Sequence, residues 1–404
     1  MAEQLDTDTP GNKRAGSAKG LLQSSALVGS ATMTSRVLGL LRDVVLANLV
    51  GATSNADAFF VAFKIPNFLR RLFAEGAFAQ AFIPVLTETR EQGGLEAVRA
   101  LVDRVTGVLG GVLILLTTVT ILAAPSVALV FAPGFASDVN KLSLTADLIR
   151  ITFPYLFLIS MTGFAGGILN SYGRFGVPAF TPVLLNLSLI AAALFLAPAL
   201  KEPVYALAIG VMIAGLLQLL FQIPSLYRLD LVPRPRWDTQ HPGVRRILTL
   251  MIPALFGVSV SQINLLLDTV LASLLPAGSV SWLYYSDRLT ELPLGIFAIA
   301  VATVILPNLS SQRARAEAVG KDPAFTATLH WALSLIVLIA LPATAALLLL
   351  AKPILTTLFQ YGAFGPGDVD KATWSLRAYA LGLTAFMLIK VLAPGYYARQ
   401  DMKT

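Results

Sequence analysis

Four arginines stand inside apolar runs long enough to cross a membrane: Arg36, Arg42, Arg70 and Arg288. On insertion scales an arginine at the centre of a membrane helix costs about 2.5–3.5 kcal/mol, so four of them cost about 10–14 kcal/mol. Such groups face a bundle interior or a watery cavity. A guanidinium stays charged and its planar fork grips phosphate oxygens two at a time. The chemistry these four support is recognition of an anionic, phosphorylated cargo within the membrane.

Other polar groups share the same runs. Asp43 lies seven residues after Arg36, which puts the two on one face of a helix. Lys64, Asn67, Arg71 and Glu75 form a polar stripe at helical spacing, although Pro66 interrupts the regular turn. Asp287 and Glu291 are one turn apart beside Arg288, and Asp57 opens the second apolar run. These residues are read as supporting polar groups of a cavity. The competing reading is internal pairing: Asp43 with Arg42, Glu75 with Arg71 and Glu291 with Arg288. Asp268 is a lone carboxylate in its run. It is the candidate for coupling transport to an ion, against a plainer role in capping or hydrogen bonding near a helix end.

Composition says which elements must position these groups. The 404 residues are 56% hydrophobic and only 13% charged, with a mean hydropathy of +0.73. Soluble domains carry about 25% charged residues. The class is therefore all-α and polytopic in a membrane. The apolar stretches are continuous, not the ten-residue alternations of a membrane β-barrel. There are no cysteines, which excludes thiolate metal sites, disulfides and a cysteine nucleophile. No phosphate-binding G-x-x-x-x-G-K-[ST] loop occurs, nor H-E-x-x-H nor G-x-S-x-G, and only two histidines, His241 and His330, are present. The chain reads as a transporter and not an enzyme. Its energy would come from an ion gradient or the membrane potential.

Ten spans are expected, at about 21–50, 57–88, 97–124, 142–171, 178–198, 203–227, 247–275, 280–310, 325–350 and 371–397. A polar tail, 1–20, precedes them. With the N-terminus inside, the cytoplasmic segments hold 17 Lys and Arg and the opposite loops 4. That bias places the N-terminus in the cytoplasm. It also accounts for most of the +7 net charge, so no nucleic-acid partner is inferred.

Similar segments recur at a nearly constant offset of 223 to 228 residues. Ala124-Pro125 before Phe131 and Gly134 matches Lys352-Pro353 before Phe359 and Gly362. "ILNSYGRF" (168–175) resembles "PGYYARQD" (394–401), and "AFIPVL" (81–86) resembles "VILPNL" (304–309). Six spans per offset imply two halves of like orientation, a transporter architecture. The expected division is an N-lobe, 21–228, a cytoplasmic Pro/Arg-rich linker, 229–245, and a partial C-lobe, 246–404. Two parallel-repeat helical lobes would then surround a central cationic cavity.

Long motifs carry a resemblance. They are "SRVLGLLRD" (35–43), "DAFFVAFKIPNFLRRLFAEGAFAQAFIPVL" (57–86), "GVSVSQINLLLDTVLAS" (257–273), "GSVSWLYYSDRLTELPLG" (278–295), "LFQYGAF" (358–364) and "KVLAPGYYARQDMKT" (390–404). The chain resembles the MurJ/MviN lipid II flippase family of the MOP exporter superfamily. The resemblance implies a MATE-like V-shaped fold. It implies alternating-access transfer of lipid II, the undecaprenyl-diphosphate-linked disaccharide-peptide, from inner to outer leaflet. The family's essential cavity arginines fall on Arg36, Arg42, Arg70 and Arg288. Asp57, Lys64, Glu75, Asp287 and Glu291 also match functional positions, and a sodium site would include Asp268. The resemblance further implies a bacterial inner-membrane location, membrane lipids as surroundings, and the peptidoglycan synthesis machinery as a partner. Family members have about fourteen spans, so a chain of ten is expected to be C-terminally truncated. The alternatives are a flippase for another polyprenyl-diphosphate glycan, or an ion-coupled exporter of drugs or organic ions. An arginine-rich cavity counts against cationic drugs.

Overall fold

The computed structural model describes residues 10–71, 77–298 and 323–398, together with 301, 302, 304, 305, 308, 309 and 312. The described residues are helical throughout, with no strand. In chain order the helices are α1 (Pro10–Val50), α2 (Ser54–Leu69), α3 (Phe78–Leu122), α4 (Ala124–Phe131), α5 (Val139–Thr152), α6 (Tyr155–Ser171), α7 (Gly176–Ala191), α8 (Pro203–Tyr227), α9 (Pro242–Ser273), α10 (Ser279–Pro293), α11 (Pro323–Leu349), α12 (Ala351–Phe359) and α13 (Pro366–Ala398). Six described helical segments are long and apolar enough to cross a membrane: 78–122, 139–171, 176–199, 203–227, 323–349 and 366–396. The spans read at 21–50, 57–88, 247–275 and 280–310 have no counterpart of their own among them. These are runs that carry the intramembrane charges.

Several boundaries differ from the sequence reading. The segment 1–20 was expected to be a polar tail, but α1 begins at Pro10, and proline suits a first helical position. The run 57–88 was expected to be one span: α-helical geometry ends at Leu69, residues 70, 71 and 77 are π-helical, α3 begins at Phe78, and 72–76 lie outside the described residues. Pro66 explains part of this, because it cannot donate to the carbonyl of Ala62. That carbonyl accepts instead from Thr152 Oγ1 at 3.2 Å, which ties α2 to α5. Within α3, Gly94 takes φ 65°, a left-handed value that glycine adopts without strain. The helix breaks there, between the expected spans 57–88 and 97–124.

The chain divides into two compact units: residues 1–45 with 58–275, and residues 46–57 with 276–404, with one boundary after α9. In the first unit, Phe78, Phe82 and Phe164 pack with ring centroids 4.9–6.0 Å apart. Around them the core takes Val98, Leu101, Val102 and Val105 of α3 and Val244 and Ile247 of α9. This contact holds α9 to α3. In the second unit, buried Tyr285 of α10 meets Phe359 and Phe364 at 5.1 and 5.3 Å. The short helices α4 and α12 each follow a span and precede a long helical run, the order that the repeated Pro…Phe…Gly segments imply.

Candidate functional site

In the first unit the charges of α1 sort into two kinds. Arg42 is buried, at 5% exposure, and Asp43 at 1%. Arg42 Nε and Nη2 donate to Asp43 Oδ1 at 2.9 and 2.6 Å, and Nη1 donates to Asn186 Oδ1 at 3.0 Å. Asn186 Nδ2 in turn donates to the Ser35 carbonyl at 2.8 Å. Gly39 of α1 lies opposite this amide, where an added Cβ would make an ordinary contact 3.7 Å from Nδ2. The result is a latch between α1 and α7. Arg42, expected as a cargo ligand with Asp43 as a supporting cavity residue, is here paired with that carboxylate. In a low dielectric an unpaired guanidinium is too costly, and the neighbouring carboxylate is the nearest remedy. Arg36, in contrast, is half-buried and pairs with no carboxylate among the described residues.

Asn186 was missed by sequence reasoning. Its signal was a lone amide in the apolar run from Val183 to Leu189.

The α2 stripe is used partly within its own backbone. Asn67 Nδ2 donates to the Phe63 carbonyl at 2.9 Å. Lys64 is half-buried in α2, and Arg70 and Arg71 stand at the π-helical turn where α2 ends. Glu75 lies outside the described residues. Asp268, near the end of α9, is half-buried. Among the described residues no group of three or more His, Asp or Glu could hold a metal ion.

In the second unit α10 carries the charges. Arg288 Nη1 donates to Glu291 Oε2 at 2.8 Å, and its guanidinium lies 5.0 Å from the Tyr284 ring centroid. The side chains are 31% and 38% exposed. Glu291 is paired with Arg288 here, and both side chains keep part of their surface exposed. Asp287 stands beside them, half-buried. Asp57 has a different role from the one expected. It is 1% exposed and accepts from Gly278 N at 2.7 Å and from Ser281 N and Oγ at 2.9 and 2.7 Å. A carboxylate satisfying free N–H groups at a helix N-terminus is a cap, favoured also by the helix dipole. Here it comes from another segment of the same unit. The α1–α2 turn is pinned again where Ala363 N donates to the Asn48 carbonyl at 2.9 Å.

The segment after α8 is docked on α3. Asp230 adopts φ 54°, which turns the chain off the helix while Leu231 N donates back to the Leu226 carbonyl at 3.0 Å. Arg236 N donates to the Asp103 carbonyl at 3.0 Å, and Arg234 N to Asp103 Oδ1 at 2.7 Å. Arg104 Nε donates to Asp238 Oδ2 at 2.9 Å. That bond holds the Asp238 carboxyl below its ordinary value. Burial, then the Arg104 charge, pushes His241 down from its ordinary 6.5. Its Nδ1 accepts from Gly243 N at 3.2 Å and caps α9.

A family model described as lipid II flippase MurJ matches residues 46–404. The probable lipid II flippase MurJ of Vibrio cholerae serotype O1 is 51% identical over 393 residues, covering 96% of this chain and 74% of the relative. A solved structure of lipid II flippase MurJ in an inward closed conformation superimposes with a TM-score of 0.81 at 28% identity, covering 94% of this chain and 77% of that one. An inward-facing multidrug-resistance MATE transporter of the MOP superfamily shares the fold, with a TM-score of 0.66 at 15% identity over 92% of this chain and 86% of that one.

Proposed function

We propose, because this chain belongs to the lipid II flippase MurJ family, that it carries lipid II from the inner to the outer leaflet. It is a multi-pass membrane transporter and not an enzyme. In this reading it resides in the bacterial inner membrane with its N-terminus in the cytoplasm, which the 17-to-4 charge bias supports.

The observation that carries the site assignment is the contrast among arginines. A buried ion pair costs about 3–5 kcal/mol to break, whereas a half-exposed one is worth about 0–1 kcal/mol. A diphosphate can therefore take Arg288 from Glu291 at little cost, but cannot take Arg42 from Asp43. Arg36, with no carboxylate to give up, is the cheapest donor of all. Arg36 in the first unit and Arg288 in the second are each candidate ligands for the diphosphate, and Arg70 is a further candidate at the end of α2. Arg42 acts by holding α1 against α7 and so placing Arg36. Coupling to an ion or to the membrane potential is not assigned to Asp268.

The test is lipid II binding and translocation by Arg36→Ala and Arg288→Ala in vesicles. Each variant should lose binding at least tenfold while unfolding at the wild-type temperature. Normal binding and translocation by both variants would reject the assignment. If the protein moved a different polyprenyl-diphosphate glycan and ignored lipid II, the arginine assignment would stand and the cargo would change.

A further inference from the structure

The docked segment between α8 and α9 sorts its charges by pairing. Its two acids are both taken by arginines of α3: Asp230, itself exposed, pairs with Arg99 at 3.5 Å and Asp238 with Arg104 at 2.9 Å. Arg246 is taken by Glu88 at 2.7 Å. The other arginines, Arg228, Arg234, Arg236 and Arg245, are exposed and pair with no carboxylate among the described residues. Four uncompensated guanidiniums within 18 residues form an outward basic face.

Two aromatic side chains mark the level of that face. Tyr227 is 74% exposed and Trp237 65%. The Trp237 ring crosses α3 at Gly111, where a Cβ would fall 2.3 Å from the ring, and the Arg236 backbone crosses at Gly107, 2.1 Å from a Cβ. One turn further along α3, Val112, Ile114 and Leu115 are exposed apolar residues. The segment therefore lies where apolar surface gives way to polar surface. Tryptophan and tyrosine gather at that level of a bilayer, and arginine pairs there with lipid phosphates.

We propose that this segment is a binding site for anionic phospholipid headgroups, with Arg228, Arg234, Arg236 and Arg245 as phosphate ligands and Tyr227 and Trp237 seated in the interface. An acidic protein partner would need no exposed aromatic pair beside an apolar helix face. The site is separate from the diphosphate arginines of the flippase reading, and it stands or falls without them.

The experiment is native mass spectrometry of the full chain, comparing bound phosphatidylglycerol with phosphatidylcholine of the same acyl length. The wild type should favour phosphatidylglycerol, and the preference should fall as salt rises from about 0.05 to 0.5 M. An arginine near an anionic surface is worth roughly fivefold in partitioning. The R228Q/R234Q/R236Q/R245Q variant should therefore lose at least about tenfold of the preference. The matching lysine set should keep most of it. Retention of the preference by the glutamine variant, or indifference to salt, overturns the proposal. Full competition by millimolar inorganic phosphate overturns it in favour of a small-anion site, and capture of polyglutamate without lipid preference in favour of a protein partner. Should the glutamine variant not fold, the salt dependence and the lysine set decide.

Discussion

The latch at Arg42 makes a prediction that separates stability from cargo binding. Arg42→Met leaves the Asp43 carboxylate buried at 1% exposure, with both guanidinium bonds gone. Stripping one partner from a buried pair costs about 3–5 kcal/mol. Asp43→Leu removes the same two bonds from the guanidinium side, at a cost of the same size. Replacing both at once removes the uncompensated charge, and apolar replacement of a buried pair is often neutral. The double variant should then recover most of the lost stability, a coupling of at least about 2 kcal/mol in a double-mutant cycle. Thermal or denaturant unfolding of the purified protein in detergent reads all four corners of the cycle. Arg36→Ala supplies the contrast: near wild-type stability with lost lipid II binding. Additive destabilisation by the two latch variants would refute the reasoning, as would an Arg42→Met protein of full stability that had selectively lost lipid II.

Asp57→Ala should destabilise the second unit by about 2–4 kcal/mol, because three buried donors lose a charged acceptor, whereas Asp57→Asn should cost about half as much; unfolding of the two variants checks both values. Acidification should loosen the segment docked on α3. His241 is depressed, so the undocked state takes up a proton first as pH falls below 6.5, and docking weakens through that window. Asp238 is also depressed, so its contribution is complete above 3.8 and is lost as pH falls through its lowered folded value. Hydrogen exchange at the Gly243 amide, corrected for intrinsic rate, should show protection falling between pH 7.5 and 5.5, and His241→Asn should remove that step.

Elements with a strong local signal were legible before any coordinates. The 203–227 span coincides with α8, since Pro203 fits its first turn and the run is uniformly apolar. The repeated Pro…Phe…Gly segments became α4 and α12 with the helical runs that follow them. What was not legible was partnership. Arg42 and Arg288 looked alike in the sequence, each with an acid within reach; burial alone made one a fixed latch and the other an openable pair. Asp57 looked like a cavity carboxylate because nothing local says that Gly278 and Ser281, more than 220 residues away, present free N–H groups to it. The π-helical turn after Leu69 left no mark in the continuous hydropathy. The packing of the 229–245 segment was masked by its prolines and arginines, which read as an open linker.

One physical rule orders the charges described above. Where water is excluded, a charge is fixed by a partner and serves architecture, as at Arg42–Asp43 and at Asp57 on the N-terminus of α10. Where water reaches, a charge is paired at small gain, as Arg288 with Glu291, or stands exposed, as on the outward arginines after α8, and can serve a ligand. Arg36 is the informative exception, half-buried and without a carboxylate among the described residues. A membrane helix that retains such a group bears a standing cost of about 2.5–3.5 kcal/mol. An anion that arrives transiently, as a lipid diphosphate does, relieves that cost only while bound. This gives Arg36 a preference for the loaded state that a permanently paired arginine cannot have.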